Sequence, residues 1–567
     1  MLTYLINLIT WFRNSWRWVW RQRVDYVRMP LRGTLPEFAP RTPWWSKRFL
    51  GVEAPLSLAL LRQRLRRIAA DPHTHGVIFM VEDLNLGWAT SESLRAEMQT
   101  FRTSGKRIIV YMRSVDTRTY HALAAANYLL MPPTAYLYLL GVRVEAQFFG
   151  AALRAVGIEA EVVAITPYKA GADPFVRDDI SPEHRQQLQS LLDQRYASLV
   201  SAIASDRGIS EEQVRVLIDH APYLATSAAQ ARLIDRACYE DELAEWITQT
   251  VGTPTDFPNQ QKDAPILLDW DAANGALRLP YRRRQRRYIA VVGVEGTIVG
   301  GTSRNLPIPL PLLGGCQAGS DSIIQALRQV EQHKRVAALV LYVNSPGGDA
   351  FASDLIWREV LRLRKRMPVV VSMGDVAASG GYYVAACANA IVAQPGTLTG
   401  SIGVYSLRPY AGSLLERLHI NTVVLSHGER SGLLSFGNAP NDADRAALLQ
   451  IVREIYTDFK VRVCEGRNLS DAQLEPIAGG RVWTGNEAHS IGLVDLLGGL
   501  PIAVAKAREL AALPPDPSAP LLYITADADD NLPPEPFTSN PAQLIALAQE
   551  LAQPRMLALL PWVIDGV

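Results

Sequence analysis

Two short segments of the chain carry the residue types of an acyl-transfer site. Val343-Asn-Ser-Pro-Gly-Gly-Asp349 follows an apolar, β-branched run, and Gly347-Gly348 leaves two backbone N–H groups unobstructed by any Cβ. Paired donors of that kind are what an oxyanion hole requires. About thirty residues on, Gly374-Asp-Val-Ala-Ala-Ser-Gly-Gly-Tyr-Tyr383 leads from the strand-like run 368–373 into the Ala-rich, helix-like run 384–389. Ser379 therefore falls at a strand-to-helix junction, where small neighbours expose its hydroxyl and the helix dipole favours developing negative charge. A serine at such a junction also serves as an N-cap. Local sequence leaves both roles open.

A nucleophilic serine needs a base. The chain has nine histidines, but none of them, His427 and His489 included, recurs in a pattern around these segments. A lysine can serve instead if burial lowers its pKa toward neutrality. Ala164-Ile-Thr-Pro-Tyr-Lys-Ala-Gly-Ala-Asp-Pro-Phe175 places Lys169 among Tyr168, Ala170, Gly171 and Phe175, a largely uncharged setting. A lone loop lysine is ordinarily just solvated, so this segment decides nothing alone.

An internal repeat supplies the elements that would position these residues. Tyr26 to Leu35 reappears as Tyr288 to Ile298, 76–81 as 338–343, and 107–112 as 368–373. Farther on, 160–163 matches 421–424 and 231–235 matches 491–495, every pair 260 to 263 residues apart. Where the second copy has Ser379 the first has Thr117 or Arg118, and where the second has Gly347-Gly348 the first has Asn85-Leu86. Conversely, Lys169 corresponds to Arg430, whose guanidinium does not deprotonate. Such complementary losses predict a composite site, with the base from one copy and the nucleophile and oxyanion hole from the other.

Each copy alternates short apolar runs with longer amphipathic segments such as 56–70, 322–332 and 355–366, which predicts two tandem α/β domains around largely parallel sheets. The expected organisation is a Trp/Arg-rich segment 1–24, repeats at 25–252 and 288–512, a linker 253–287 and a tail 513–567. With 57 Lys+Arg against 56 Asp+Glu, the net charge of +1 gives no support to nucleic-acid binding. Four dispersed cysteines, Cys238, Cys316, Cys387 and Cys464, exclude a disulfide framework and a zinc ribbon.

Met1 to Phe12 is too short to span a bilayer. Trp16, Trp18 and Trp20 come next, with Arg13, Arg17 and Arg21 spaced four apart as one basic helical stripe. That composition predicts a helix lying in a lipid headgroup layer. The Arg-rich cluster 282–287 reads as a solvated face, and the Pro/Asp-rich stretch 513–541 as a flexible tail. The apolar stretch 544–560 reads as a docking helix for a partner, a neighbouring subunit or a membrane.

The combination of motifs resembles the long, tandem-repeat form of the signal peptide peptidase A (protease IV) family. The matching elements are Asn344 to Gly348, Ala377 to Tyr382, Leu398 to Gly403, Tyr168-Lys169 with Pro174-Phe175 and Arg177 to Asp179, and Gly485 to Asp495, within a similarity from about Tyr26 to Leu510. The resemblance implies a Clp/crotonase-like fold and a Ser/Lys serine peptidase. Ser379 would be the nucleophile, Lys169 the general base and Ser401 the hydroxyl that holds the lysine. The oxyanion would be held by the N–H groups of Gly380 and of Gly347 or Gly348. No metal or organic cofactor is called for. Signal-peptide remnants or other unfolded apolar peptides would be the substrates, at a membrane, in a ring-like homotetramer. The other readings are a crotonase-type acyl-CoA enzyme, which has no use for the Ser379/Lys169 pair, and a catalytically inactive membrane scaffold.

Overall fold

A computed structural model describes residues 2–20, 23–39, 55–251, 264–281, 286–310, 314–437, 439–525 and 555–559. Arg21, positions 282–285 of the basic cluster and most of the C-terminal tail lie outside the described residues. The chain divides into two compact units, one of residues 1–143 and 194–285 with the last two residues, the other of 144–193 and 286–565. Repeat and unit are different divisions. Residues 144–193, which carry Lys169, belong to the first repeat by sequence and to the second unit by contact.

The first unit is built on a six-stranded, all-parallel sheet in the order Leu267–Asp269, Tyr26–Thr34, Gly76–Asn85, Arg107–Met112, Tyr128–Met131, Arg236–Ala237. Its inner strands bury both faces: Val77, Phe79 and Val81 point into one apolar cluster and Ile78 into another. That is why they read as continuous apolar runs rather than alternating ones. Helix Leu58–Ala69 starts at Ser57, whose hydroxyl accepts the Leu60 N–H at 3.2 Å.

The second unit repeats the plan. Its main sheet runs Val482–Thr484, Leu398–Gly400, Val369–Ala378, Val336–Ser345, Tyr288–Glu295, Leu521–Tyr523, parallel except at the Val482–Thr484 edge. A second sheet contains, side by side, Thr297–Val299, Gly347–Asp349, Arg555–Leu559, Tyr405–Tyr410 and Glu159–Ala164. Val163 and Ile165, from the first repeat, pack on the apolar core of this unit.

Three segments differ from their sequence reading. Leu267–Asp269, inside the expected linker, pairs with Tyr26–Arg28, and Leu521–Tyr523, inside the expected tail, pairs with Ile289–Val291. Arg555–Leu559 is a strand where a docking helix was expected. Strands of three to five residues are too short to display a period, and their partners are remote in sequence.

The N-terminal segment forms a helix, Leu2–Trp20, held to the first unit by Asn14, whose side chain exchanges hydrogen bonds with the Leu279 backbone at 2.9 and 3.1 Å. Tyr4, Leu5, Leu8, Ile9, Trp11 and Phe12 are exposed on it. No helix among the described residues is long and apolar enough to cross a membrane.

Candidate active site

Strand Val369–Ala378 ends and helix Gly380–Ala385 begins at Ser379, which stands between them at φ +56° and ψ −116°. A non-glycine residue pays for positive φ, so the surroundings must hold it there. They do: the Ser379 N–H donates to Gly400 O at 2.8 Å, and its carbonyl accepts the Tyr383 N–H at 2.8 Å. Ser379 occupies the N-cap position, but its side chain makes no capping bond. The hydroxyl faces Lys169 instead, 2.6 Å from Nζ. Of the two roles left open by local sequence, the cap is not taken.

The glycines after Ser379 allow this turn to close on the Gly-Gly segment. A Cβ on Gly380 would lie 2.6 Å from Ser353 Oγ and 3.1 Å from Gly348 N; one on Gly381 would lie 2.7 Å from Ser345 O. Gly347 and Gly348 have φ of +100° and +159°, and a Cβ on Gly348 would sit 1.9 Å from Ile298 O. The Gly347 N–H donates to Ser345 Oγ at 3.1 Å. Gly348, next to Gly380, stands in two ladders, opposite Ile298 and opposite Ala558.

Lys169 follows the strand Glu159–Ala164, which pairs antiparallel with Tyr405–Tyr410 so that Ala164 stands opposite Tyr405. Two glycines from the second repeat admit its stem. A Cβ on Gly480 would lie 2.6 Å from Lys169 Cβ, and one on Gly403 would lie 3.3 Å from Lys169 Cδ. The Gly480 N–H donates to Ile402 O at 2.7 Å, and the Thr166 hydroxyl donates to the Gly479 carbonyl. Beyond Ser379, Nζ lies 2.9 Å from both the carbonyl and the hydroxyl oxygens of Ser401. Ser401, at φ +51°, follows the strand Leu398–Gly400, and its N–H donates to Arg481 O at 2.7 Å.

Lys169, Ser379 and Ser401 are all buried, at 4%, 0% and 2% exposure. Burial holds the Lys169 pKa well below that of a free lysine. The structure thus brings together Lys169, Ser379, Ser401, Gly348 and Gly380, with Gly347 adjoining. Thr117, at the first-repeat position of Ser379, opens the helix Thr117–Leu123 and donates its hydroxyl to Tyr138 O at 3.3 Å. Gly480 carried no role in the sequence reading; the Gly479-Gly480 pair was its only local signal.

The strand Arg555–Leu559 lies antiparallel against the Gly-Gly segment, with Leu559 opposite Gly347, Ala558 opposite Gly348 and Leu557 opposite Asp349. Its other edge pairs with Tyr405–Leu407. The edge beside the glycines is thus taken by the chain's own extended segment.

A tandem α/β fold in which a turn-borne serine meets a buried amine, with glycine N–H groups alongside, fits the class of serine hydrolases. Comparison with known proteins narrows the class. Residues 100–253 and 362–514 match the model of peptidase family S49, once in each repeat, and residues 316–395 match that of Clp protease. The chain is 34% identical over 513 residues to the chloroplastic serine protease SPPA of Arabidopsis thaliana, covering 89% of this chain and 72% of that protein. It is 29% identical over 446 residues to Protease 4 of Haemophilus influenzae, covering 76% and 69%. Among solved structures, a mutant of the 1510-N membrane-bound stomatin-specific protease matches at 16% identity and a TM-score of 0.25, over 42% of this chain and 94% of that one. The chain belongs to peptidase family S49 and is a serine peptidase.

Proposed function

We propose that Ser379 is the nucleophile of this peptidase and Lys169 its general base. The observation that carries the reading is the 2.6 Å approach of a buried amine to the serine hydroxyl. An uncharged amine has two N–H bonds and one lone pair, and Nζ has three close oxygens. With its N–H bonds donated to Ser401 O and Oγ, its lone pair faces Ser379 and accepts the hydroxyl proton. Ser401 is then a positioning residue.

Ser379 Oγ attacks the peptide carbonyl as its proton passes to Lys169 Nζ. The oxyanion accepts N–H bonds from Gly380 and Gly348. Lys169 returns the proton to the leaving amine as the C–N bond breaks, leaving an acyl-enzyme. Lys169 next takes a proton from water, whose oxygen displaces Ser379 Oγ, and gives that proton back to the serine. The crotonase-type alternative uses the same glycines but gives no part to the Ser379/Lys169 contact.

The substrates are unfolded apolar peptides, signal-peptide remnants among them, bound extended beside Gly347–Asp349 in exchange for the strand Arg555–Leu559, which holds that edge here. The segment 1–24 meets the membrane surface, and the chain works as a homo-oligomer, a tetramer by family likeness. The test is hydrolysis of an unstructured apolar peptide by Ser379→Ala and Lys169→Arg. Each should lose on the order of 10³-fold or more in kcat/KM. Retention of the parental rate by either variant contradicts the reading.

A further inference from the structure

A second serine is packed against the turn that carries Ser379. Ser353 lies in the first turn of the helix Ala350–Arg364 and is wholly buried. Its hydroxyl donates to the Asp349 carbonyl, one turn back, at 2.8 Å, and the Asp349 carboxylate caps the same helix by accepting the Ala352 N–H at 2.7 Å. A serine has one O–H to give. With that proton committed, Oγ is held in one position and offers only its lone pairs to what lies beyond. Beyond it lies Gly380: Oγ is 2.6 Å from the point a Cβ there would occupy, with Gly348 N at 3.1 Å and Gly347 Cα at 3.2 Å from the same point. Gly380 is thus wedged between Ser353 and the Gly-Gly turn. It opens the helix Gly380–Ala385, so its N–H has no partner within that helix and its direction is set by packing.

The repeat shows the same position without a nucleophile beside it. The helix Ala350–Arg364 starts 262 positions after Trp88–Arg102, which sets Ser91 at the place of Ser353. Ser91 is equally buried. Its hydroxyl donates to Trp88 O at 2.8 Å and lies 3.0 Å from Nδ1 of His121, on the helix Thr117–Leu123 that corresponds to Gly380–Ala385. In both copies, then, a buried serine joins these two helices. In the first copy it meets an imidazole; in the second it meets the backbone of the residue after Ser379.

We propose that Ser353 is a positioning residue of the oxyanion hole. Its oxygen sets where the Gly380 N–H stands relative to Ser379 Oγ and the Gly347-Gly348 turn. A donor aimed at a developing oxyanion is effective only if it is in place beforehand, and a displacement near 1 Å costs on the order of 10²-fold in rate. Ser353 touches no reacting atom and acts through Gly380. Ser353→Ala removes the wedge and lets Gly380 recede. Ser353→Val sets a methyl group, wider than oxygen, in the place of Oγ and drives Gly380 toward the Gly-Gly turn. The inference rests on the reading of Ser379 as nucleophile and Gly380 as oxyanion donor, and adds the group that holds that donor.

The test uses the full-length chain, an unstructured apolar peptide as substrate and a peptide aldehyde of matching sequence as probe. Addition of the Ser379 O–H across the aldehyde C=O gives a hemiacetal whose oxygen occupies the hole. Ser353→Ala should lower kcat about tenfold and Ser353→Val about a hundredfold, with KM within about twofold of the parent. The inhibition constant of the aldehyde should rise by the same factors. The pH midpoint of kcat should stay in place, because Lys169 is untouched. Ser91→Ala, the same change at the counterpart position, should keep the parental kcat. Ser353→Ala deletes a single atom, so the test does not depend on the valine variant folding. Parental kcat in Ser353→Ala, a loss carried by KM, or an equal loss in Ser91→Ala overturns this inference and leaves the Ser379 reading standing. Hydrolysis at the parental rate by Ser379→Ala overturns both.

Discussion

Lys169 and Ser379 are 210 residues apart in sequence and 2.6 Å apart at their side-chain ends. The contact exists because the segment bearing Lys169 leaves its own repeat and completes the sheet of the other through Glu159–Ala164. The two residues thus come from different repeats yet lie in one compact unit.

A buried amine held below its ordinary pKa costs stability wherever a free lysine is charged. Between the lowered folded pKa and the unfolded value near 10.4, the unfolded chain binds one proton more than the folded one. Stability therefore rises with pH through that window, by at most about 1.4 kcal/mol per pH unit, and the full deficit is present below the folded pKa. Lys169→Met should be inactive but more stable than the parent at pH 7, with the difference shrinking as pH approaches 10. Urea midpoints at several pH values measure it; a Met variant less stable at pH 7 would contradict the burial argument.

Ser401 offers Lys169 two oxygens, and only one belongs to its side chain. Ser401→Ala should leave the amine anchored by the carbonyl but less well aimed. We expect kcat to fall about ten- to a hundredfold with KM little changed, and Ser401→Thr to recover part of the loss. A change confined to KM would place Ser401 in peptide binding instead.

Gly480 touches no reacting atom, yet a methyl group there would press on the Cβ, Cα and N of Lys169, and its φ is +81°. Gly480→Ala should cut kcat strongly while the far-UV circular dichroism stays that of the parent. Gly492→Ala is the control, because that glycine also has positive φ, +82°, but open space around its would-be Cβ. Equal losses in both variants would reduce the Gly480 effect to backbone strain.

The helix Leu2–Trp20 exposes Leu5, Leu8, Ile9, Trp11 and Phe12, and Arg13 follows them on its exposed surface. It should bind anionic vesicles, with each cation near the surface contributing about 1 kcal/mol and salt weakening the attachment. Deleting residues 1–24 should release the protein in a vesicle sedimentation assay. Equal co-sedimentation of the two chains would remove the role from this segment.

The strand runs and the repeat were legible because buried parallel strands read as unbroken apolar segments, of which 338–343 is the clearest. Ser379 and Lys169 could be paired from sequence because each repeat lacks what the other keeps. Whether Ser379 caps a helix or faces a base could not be read locally, since both roles use the same position. Gly480 was not legible either: the atom that forbids a side chain there belongs to a residue more than three hundred positions away. Leu267–Asp269, Leu521–Tyr523 and Arg555–Leu559 escaped because short edge strands depend on remote partners for their conformation. The duplicated elements also refine the repeat: the helices at 150 and 412 set 262 as its spacing, one more than the alignment of 160–163 with 421–424.

If an uncharged Lys169 activates Ser379, the pH dependence of Ser379 modification must show it. The rate constant for labelling by a fluorophosphonate should be measured across pH, with the modified residue located by mass spectrometry. Labelling should fall on Ser379 and rise with pH along a single-proton limb centred well below 10.5, as Lys169 sheds its proton. This limb should disappear in Lys169→Ala, whose labelling should be slower throughout. The same limb persisting in Lys169→Ala, or a parental midpoint at the free-lysine value, would contradict it.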